Sequence, residues 1–163
     1  MAIHLLIDGY NLLHQIPELA FLMQEDPEEA RQALLKQLQE YQRIRRHKIT
    51  VVFDAWDRAE PRSEVSIKGI RVIFTAQGET ADDYIKRRAV KEKERVVVVT
   101  SDRAIRSYVE TYGAISVTSR DFLAKMEAAF YEEMKGEKLS PEPIPGKKLP
   151  KKARQRLAKL AKL

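Results

Sequence analysis

Residues 95–102 read RVVVVTSD, four consecutive valines followed by a polar, acidic exit. An apolar run this short and this β-branched suits a strand covered on both faces, as in the middle of a parallel sheet. The pattern recurs on either side of it. IHLLID (3–8) gives a first strand ending at Asp8, and ITVVFD (49–54) a second ending at Asp54. IRVIF (70–74) alternates like a less buried strand, and AISV (114–117) is short enough to be the last. Helical spacing fills the intervals. Asp26 is an expected N-cap, with Pro27 at the first helical position and Glu29 at the capping-box position. Ala30, Leu34, Leu38 and Tyr41 then share one face. Helix is also expected over Leu12 to Met23, interrupted near Pro17. Further helices are expected from Thr80 to Lys93 with Asp83 at the box position, over 103–112, and from a Ser119 cap through about Lys135. Residues 54–69 read as a surface loop with little regular structure. Strands alternating with long crossovers predict a three-layer α/β domain with a central, mostly parallel sheet flanked by helices.

The chain has 163 residues, enough for one domain with an ordinary core; 44% are hydrophobic and 33% charged. It has no cysteine, which excludes disulfides, thiolate ligands and a cysteine nucleophile. No apolar segment has the length of a signal peptide or a membrane span, so a cytoplasmic protein with no membrane partner is expected. The net charge of +6 is unevenly placed: residues 146–163 carry eight basic residues and no acidic one. The first 145 residues hold 22 basic against 24 acidic side chains, a mildly acidic body. The expected organisation is a domain over 1–137, a proline-rich linker over 138–150, and a basic, helix-compatible tail over 151–163.

In open α/β sheets, function gathers at the carboxyl ends of the strands. There the first strand delivers Asp8, the second Asp54 and the RVVVV strand Asp102, while IRVIF leads to Glu79, Asp82 and Asp83. Each acid has a structural reading too: an Asx turn at Asp8, a pair with Arg58 at Asp54, helix caps at Asp82, Asp83 or Asp102. Their coincidence at four strand exits points further. Clustered carboxylates raise one another's pKa unless a cation neutralises them. Mg²⁺ and Mn²⁺ prefer such oxygen ligands and meet substrate phosphates. Asn11 and Ser101 or Thr100 are neutral groups suited to positioning water or phosphate. Arg103, Arg106 and Arg120 lie near strand exits or helix starts, with Arg103 the best placed for a backbone phosphate. Trp56 and Tyr10 are candidates for stacking on unpaired bases. Lys147, Lys148, Lys151 and Lys152 open the basic tail, which suits RNA either as nonspecific attraction or as a docking helix. Dinucleotide and P-loop glycine motifs are absent, and His4, His14 and His47 are too scattered for a zinc site.

Five segments in order, LLIDGYNLLH (5–14), VVFDA (51–55), TAQGETADDYI (75–85), VVVTSDRAIRSYV (97–109) and GAISVTSRDF (113–122), resemble the YacP-like branch of the NYN domains, within the PIN-like nuclease group. The resemblance implies a PIN-like fold and an acidic, Mg²⁺- or Mn²⁺-dependent nuclease centre. It assigns Asp8, Asn11 and Asp102, the middle acidic motif at Glu79, Asp82 and Asp83, and a further acid at Asp54. Asp82 and Asp83 remain alternatives as metal ligands, helix geometry favouring Asp82. The resemblance also implies an endoribonuclease of single-stranded RNA, acting on messenger RNA in association with the ribosome. A non-catalytic RNA- or ribosome-binding protein and a DNA nuclease of the same fold are the competing readings.

Overall fold

A computed structural model describes residues 3–55, 61–136 and 150–163. Its six strands are β1 (His4–Asp8), β2 (Lys48–Phe53), β3 (Ser63–Ile67), β4 (Ile70–Phe74), β5 (Val96–Val99) and β6 (Ile115–Val117). They lie side by side in the order β3-β4-β2-β1-β5-β6. Every pairing is parallel except β3 with β4, a hairpin that places an antiparallel strand at one edge. The α/β architecture with helices on both faces is the expected one. β3 corrects the loop expected over 54–69. Its sequence SEVSI has only alternate apolar residues, and a tight turn at Lys68 and Gly69, both at positive φ, folds it back onto β4.

Among the described residues seven α-helices fill the intervals: α1 (Gly9–His14), α2 (Pro17–Glu25), α3 (Pro27–Arg45), α4 (Ala81–Glu92), α5 (Arg103–Thr111), α6 (Ser119–Lys135) and α7 (Lys151–Ala161). Asp26 caps α3 by accepting from the Glu29 amide, and Pro17 begins α2, which splits the helix expected over Leu12 to Met23. α4 starts at Thr80 with a complete capping box to Asp83. The cap of α6 is Thr118, one residue before the expected Ser119; its hydroxyl accepts from the Asp121 amide. Ser119 is thereby released for the site described below.

The period-2 alternation of the strands sorts the core into two layers. Leu5, Ile7, Val51, Phe53, Val97 and Val99 face α1, α2, α3 and α6. Leu6, Val52, Ile73, Val96 and Val98 face α4 and α5. β1 and β5 are apolar on both faces because both faces are covered. No described helix is long and apolar enough to cross a membrane.

The basic tail is not free. α7 packs back at the amino ends of the strands: the Leu163 side chain is buried, and the Leu163 carbonyl accepts from Tyr41 Oη at 2.8 Å. His47 Nε2 lies 2.9 Å from the Lys162 carbonyl, and Arg156 reaches the Ser116 carbonyl at 3.4 Å. The expected proline-rich linker, with Lys147 and Lys148, lies outside the described residues, as does Trp56.

Gly9 joins β1 to α1 without a loop. Its backbone is ordinary, but a Cβ built there meets two Phe53 ring carbons at 2.5 Å and Val51 Cγ1 at 3.0 Å. Both neighbours are fully buried, so the clash is relieved only by shifting core side chains. Gly9→Ala is expected to lose about 1–3 kcal/mol in denaturant unfolding; a loss below about 0.5 kcal/mol would show that the α1–sheet contact is slack.

Candidate active site

Strand register decides which acids meet. β1 lies between β2 and β5, with Asp8 opposite Val52 and Ile7 opposite Val99. Asp8 therefore comes level with the first residue beyond β5, and Thr100 Oγ1 donates to its Oδ2 at 3.1 Å. Asp54 follows directly after β2. The pairing of β2 with β4 continues one step past the strands, where the Thr75 amide donates to Phe53 O and Thr75 Oγ1 accepts from the Ala55 amide.

Burial and the neighbouring carboxylates Asp54 and Asp102 push the Asp8 pKa up to about 6, against the hydrogen bond from Thr100 that lowers it. Asp54 and Asp102 also hold helix starts. Asp54 Oδ1 accepts from the Ala81 amide at the start of α4, and Asp102 Oδ1 accepts from Ala104 and Ile105 at the start of α5. The two acids of the middle motif behave differently. Asp83, exposed, is held in the capping box with Thr80, and its pKa is lowered by the Thr80 backbone and hydroxyl bonds. Asp82 keeps Oδ1 buried, where it pairs with the Lys86 ammonium at 3.0 Å. That contact is an ion pair rather than an aligned hydrogen bond.

Glu79 is held by basic partners. Its carboxylate is clamped by the guanidinium groups of Arg62 and Arg87 and by the Ala76 amide. These bonds, with that of Arg62 foremost, depress its pKa to about 2 against the opposing effect of burial. The clamp ties the β4–α4 turn to the β3 hairpin.

Neutral groups complete the edge. Asn11 Oδ1 accepts from the Ser101 amide at 2.9 Å and from Ser119 Oγ at 2.6 Å, while the Ser119 amide donates to Ser101 Oγ. Because the Ser101 amide can only donate, the Asn11 oxygen must face it, leaving the Asn11 NH₂ to donate elsewhere. Ser119, fully buried, is a site residue that sequence reasoning assigned to a cap. The sole sequence signal was a threonine beside it, equally able to cap.

Among the described residues no group of three histidine, aspartate or glutamate side chains converges closely enough to hold an ion. The donor set is all oxygen, the kind a divalent cation takes: the Asp8 carboxylate, raised by burial first and by Asp54 and Asp102 less, and an Asp82 oxygen that is buried and paired only through the Lys86 ammonium.

The basic candidates divide by position. Arg103 and Arg120 are exposed in the first turns of α5 and α6, next to the strand exits. Arg106 instead donates from Nε to Ser116 Oγ at 3.1 Å, which commits it to the seam between α5 and β6. Lys151 and Lys152 are exposed on α7, at the opposite edge of the sheet. Tyr10 packs on Phe53, ring centroids 5.0 Å apart, and its hydroxyl accepts from Arg31.

Comparison with known proteins gives a match to the family described as YacP-like NYN domain over residues 5–162. "Uncharacterized protein YacP" of Bacillus subtilis (strain 168) is 32% identical over 126 residues, covering 76% of this chain and 74% of that protein. A crystal structure of Rae1 (YacP) from Bacillus subtilis superimposes with a TM-score of 0.67 at 30% identity, over 83% of this chain and 79% of that one. A point mutant of the same protein gives 0.68, over 82% and 80%.

The raised pKa of Asp8 carries a stability consequence with a definite sign. Between about pH 4 and 6 the folded chain holds a proton that the unfolded chain has released, so stability falls as pH rises through that window. Asp8→Asn keeps an acceptor for Thr100 and removes the charge. With chelator present at pH 8 it is expected to be more stable than the wild type by on the order of 2 kcal/mol, and equal to it near pH 4. Thermal unfolding at the two pH values checks this; a variant less stable at pH 8 would contradict the crowding of charge at this edge.

Proposed function

The chain belongs to the YacP-like NYN domain family, and on that premise we propose that it is a divalent-metal-dependent endoribonuclease of single-stranded RNA. Its substrate in this reading is messenger RNA met in association with the ribosome. Family membership and the shared fold support a nuclease-type function. The observation that carries the finer reading is the Asp8 carboxylate held beside Asp54 and Asp102 at the exits of adjacent strands.

Asp8, Asp102 and Asp82 would hold Mg²⁺ or Mn²⁺, with Asp54 bordering them. Asp82 is favoured over Asp83 because its buried oxygen lacks a hydrogen bond while Asp83 closes a capping box. When bound, such an ion supplies charge stabilisation at phosphorus and a nucleophile at neutral pH. The protein's own groups do the rest. Thr100 orients the Asp8 carboxylate, and the Ser101–Asn11–Ser119 network holds the Asn11 NH₂ rigid as a donor to water or phosphate. Arg103 and Arg120 flank the strand exits as contacts for the RNA backbone, where an acidic edge alone would repel it. Lys151 and Lys152 lie too far round the fold to serve the same phosphates, so in this reading they contact a more distant part of the RNA or ribosome.

A second reading, a non-catalytic RNA- or ribosome-binding protein, draws on the helix-capping roles of Asp54, Asp83 and Asp102. Labelled single-stranded RNA incubated with the protein and Mg²⁺, with and without ribosomes, separates the two. Cleavage leaving 5′ phosphates is expected, lowered at least about a hundredfold by Asp8→Asn in a folded variant. Tight binding without cleavage in either condition would favour the binding protein, and near-normal turnover by the variant would remove Asp8 from the centre. A parallel arm with single-stranded DNA tests the nuclease of other specificity.

A further inference from the structure

Between the start of α3 and the β3–β4 edge lies a cleft of about 800 Å³, lined by the partly exposed Tyr10 and Phe74, by the buried Phe53 and Val72, and by Val65, which is 45% exposed. The size is that of a small-ligand pocket rather than a packing defect. Its wall is aromatic: Phe53 stacks on Phe74 with centroids 5.7 Å apart, and Tyr10 tilts against Phe53. Arg31 spans the opening, its Nη1 donating to Tyr10 Oη at 3.1 Å and its guanidinium lying 5.9 Å from the Phe74 ring centroid. Asp54 lines the cleft and also faces Asp8, so cleft and acidic edge are continuous.

These features select the occupant. Asp54 and Glu28 on the lining disfavour a phosphate or any other anion inside. A flat, neutral, aromatic group with a polar rim satisfies the aromatic wall, and the His14 and Gln32 side chains can meet its hydrogen-bonding edge. Continuity with the acidic edge means that this group should be attached to the phosphate reacting there. Resting on the nuclease reading above, we infer that the cleft receives the unpaired nucleobase next to the scissile phosphate, against the Tyr10–Phe74 wall, with Arg31 as its movable gate. The Tyr10–Arg31 pair is then a specificity determinant: it decides which nucleotide is presented to Asp8.

The test separates this inference from the nuclease reading by measuring stacking without cleavage. Full-length Asp8→Asn protein is titrated with short single-stranded RNAs carrying one 2-aminopurine at successive positions. One position is expected to show strong stacking quench. Tyr10→Leu and Arg31→Ala, checked for folding by thermal melts, should abolish that positional signal and weaken binding roughly 5- to 100-fold. Tyr10→Phe should keep the quench and lose only the Arg31 contact. If wild-type protein fails to cleave RNA yet Tyr10→Leu still removes a positional quench, the base cleft stands and the nuclease reading falls. Unchanged quench and cleavage positions in folded Tyr10→Leu and Arg31→Ala proteins would overturn the cleft alone. Quench at no position in the unsubstituted background would overturn it too, and leave the apolar floor to a peptide partner.

Discussion

The parallel ladder that holds β1 between β2 and β5 is the constraint on which the acidic edge depends. Its register brings residues from positions 8, 54 and 102 to one edge, although no local contact would join them. Once there, their charges repel. The fold tolerates this because both faces of the three strands are apolar and fully covered, with Leu5, Leu6, Ile7, Val97, Val98 and Val99 all buried. At about 1.5–3 kcal/mol per buried side chain, that core outweighs the on-the-order-of 2 kcal/mol cost at Asp8. Burial is the larger part of that cost and charge repulsion the smaller, and in the proposed function a bound cation would relieve both.

The acids at this edge also hold the helices in place. Asp54 and Asp102 satisfy orphan amides at the starts of α4 and α5, so the acidic edge and the helix positions are fixed by the same atoms. Glu79 does this at one remove. Its pairing with Arg62 and Arg87 makes it a clamp between the β3 hairpin and α4. The basic helix α7, by contrast, is bound at the amino ends of the strands, away from Asp8.

Much of this was legible in the sequence because it was written in short range. Apolar runs gave the five parallel strands, three of them leading to Asp8, Asp54 and Asp102, and the Asp26 and Thr80 caps gave the starts of α3 and α4. β3 was not legible: SEVSI lacks a continuous apolar face, and its place depends on pairing with β4 across a turn. The contacts of Glu79, Arg106 and Ser119 were hidden for a similar reason. Each is set by a partner brought close only by the fold: Arg62 for Glu79, Ser116 for Arg106, and Asn11 for Ser119. The docking of α7 was equally out of reach. Its leucines signalled an amphipathic helix, but nothing local said that Tyr41, Arg45 and His47 would receive its end.

In the proposed function the carboxylates at the strand exits form a cation site organised around Asp8. Crystals of the full chain soaked in Mn²⁺, with anomalous differences collected at the manganese edge, measure this directly. A strong peak is expected within bonding distance of the Asp8 carboxylate, with Asp102 or Asp82 as its neighbour, and no such peak in crystals of Asp8→Asn. Manganese bound only elsewhere on the surface, or an unchanged peak in the variant, would contradict it.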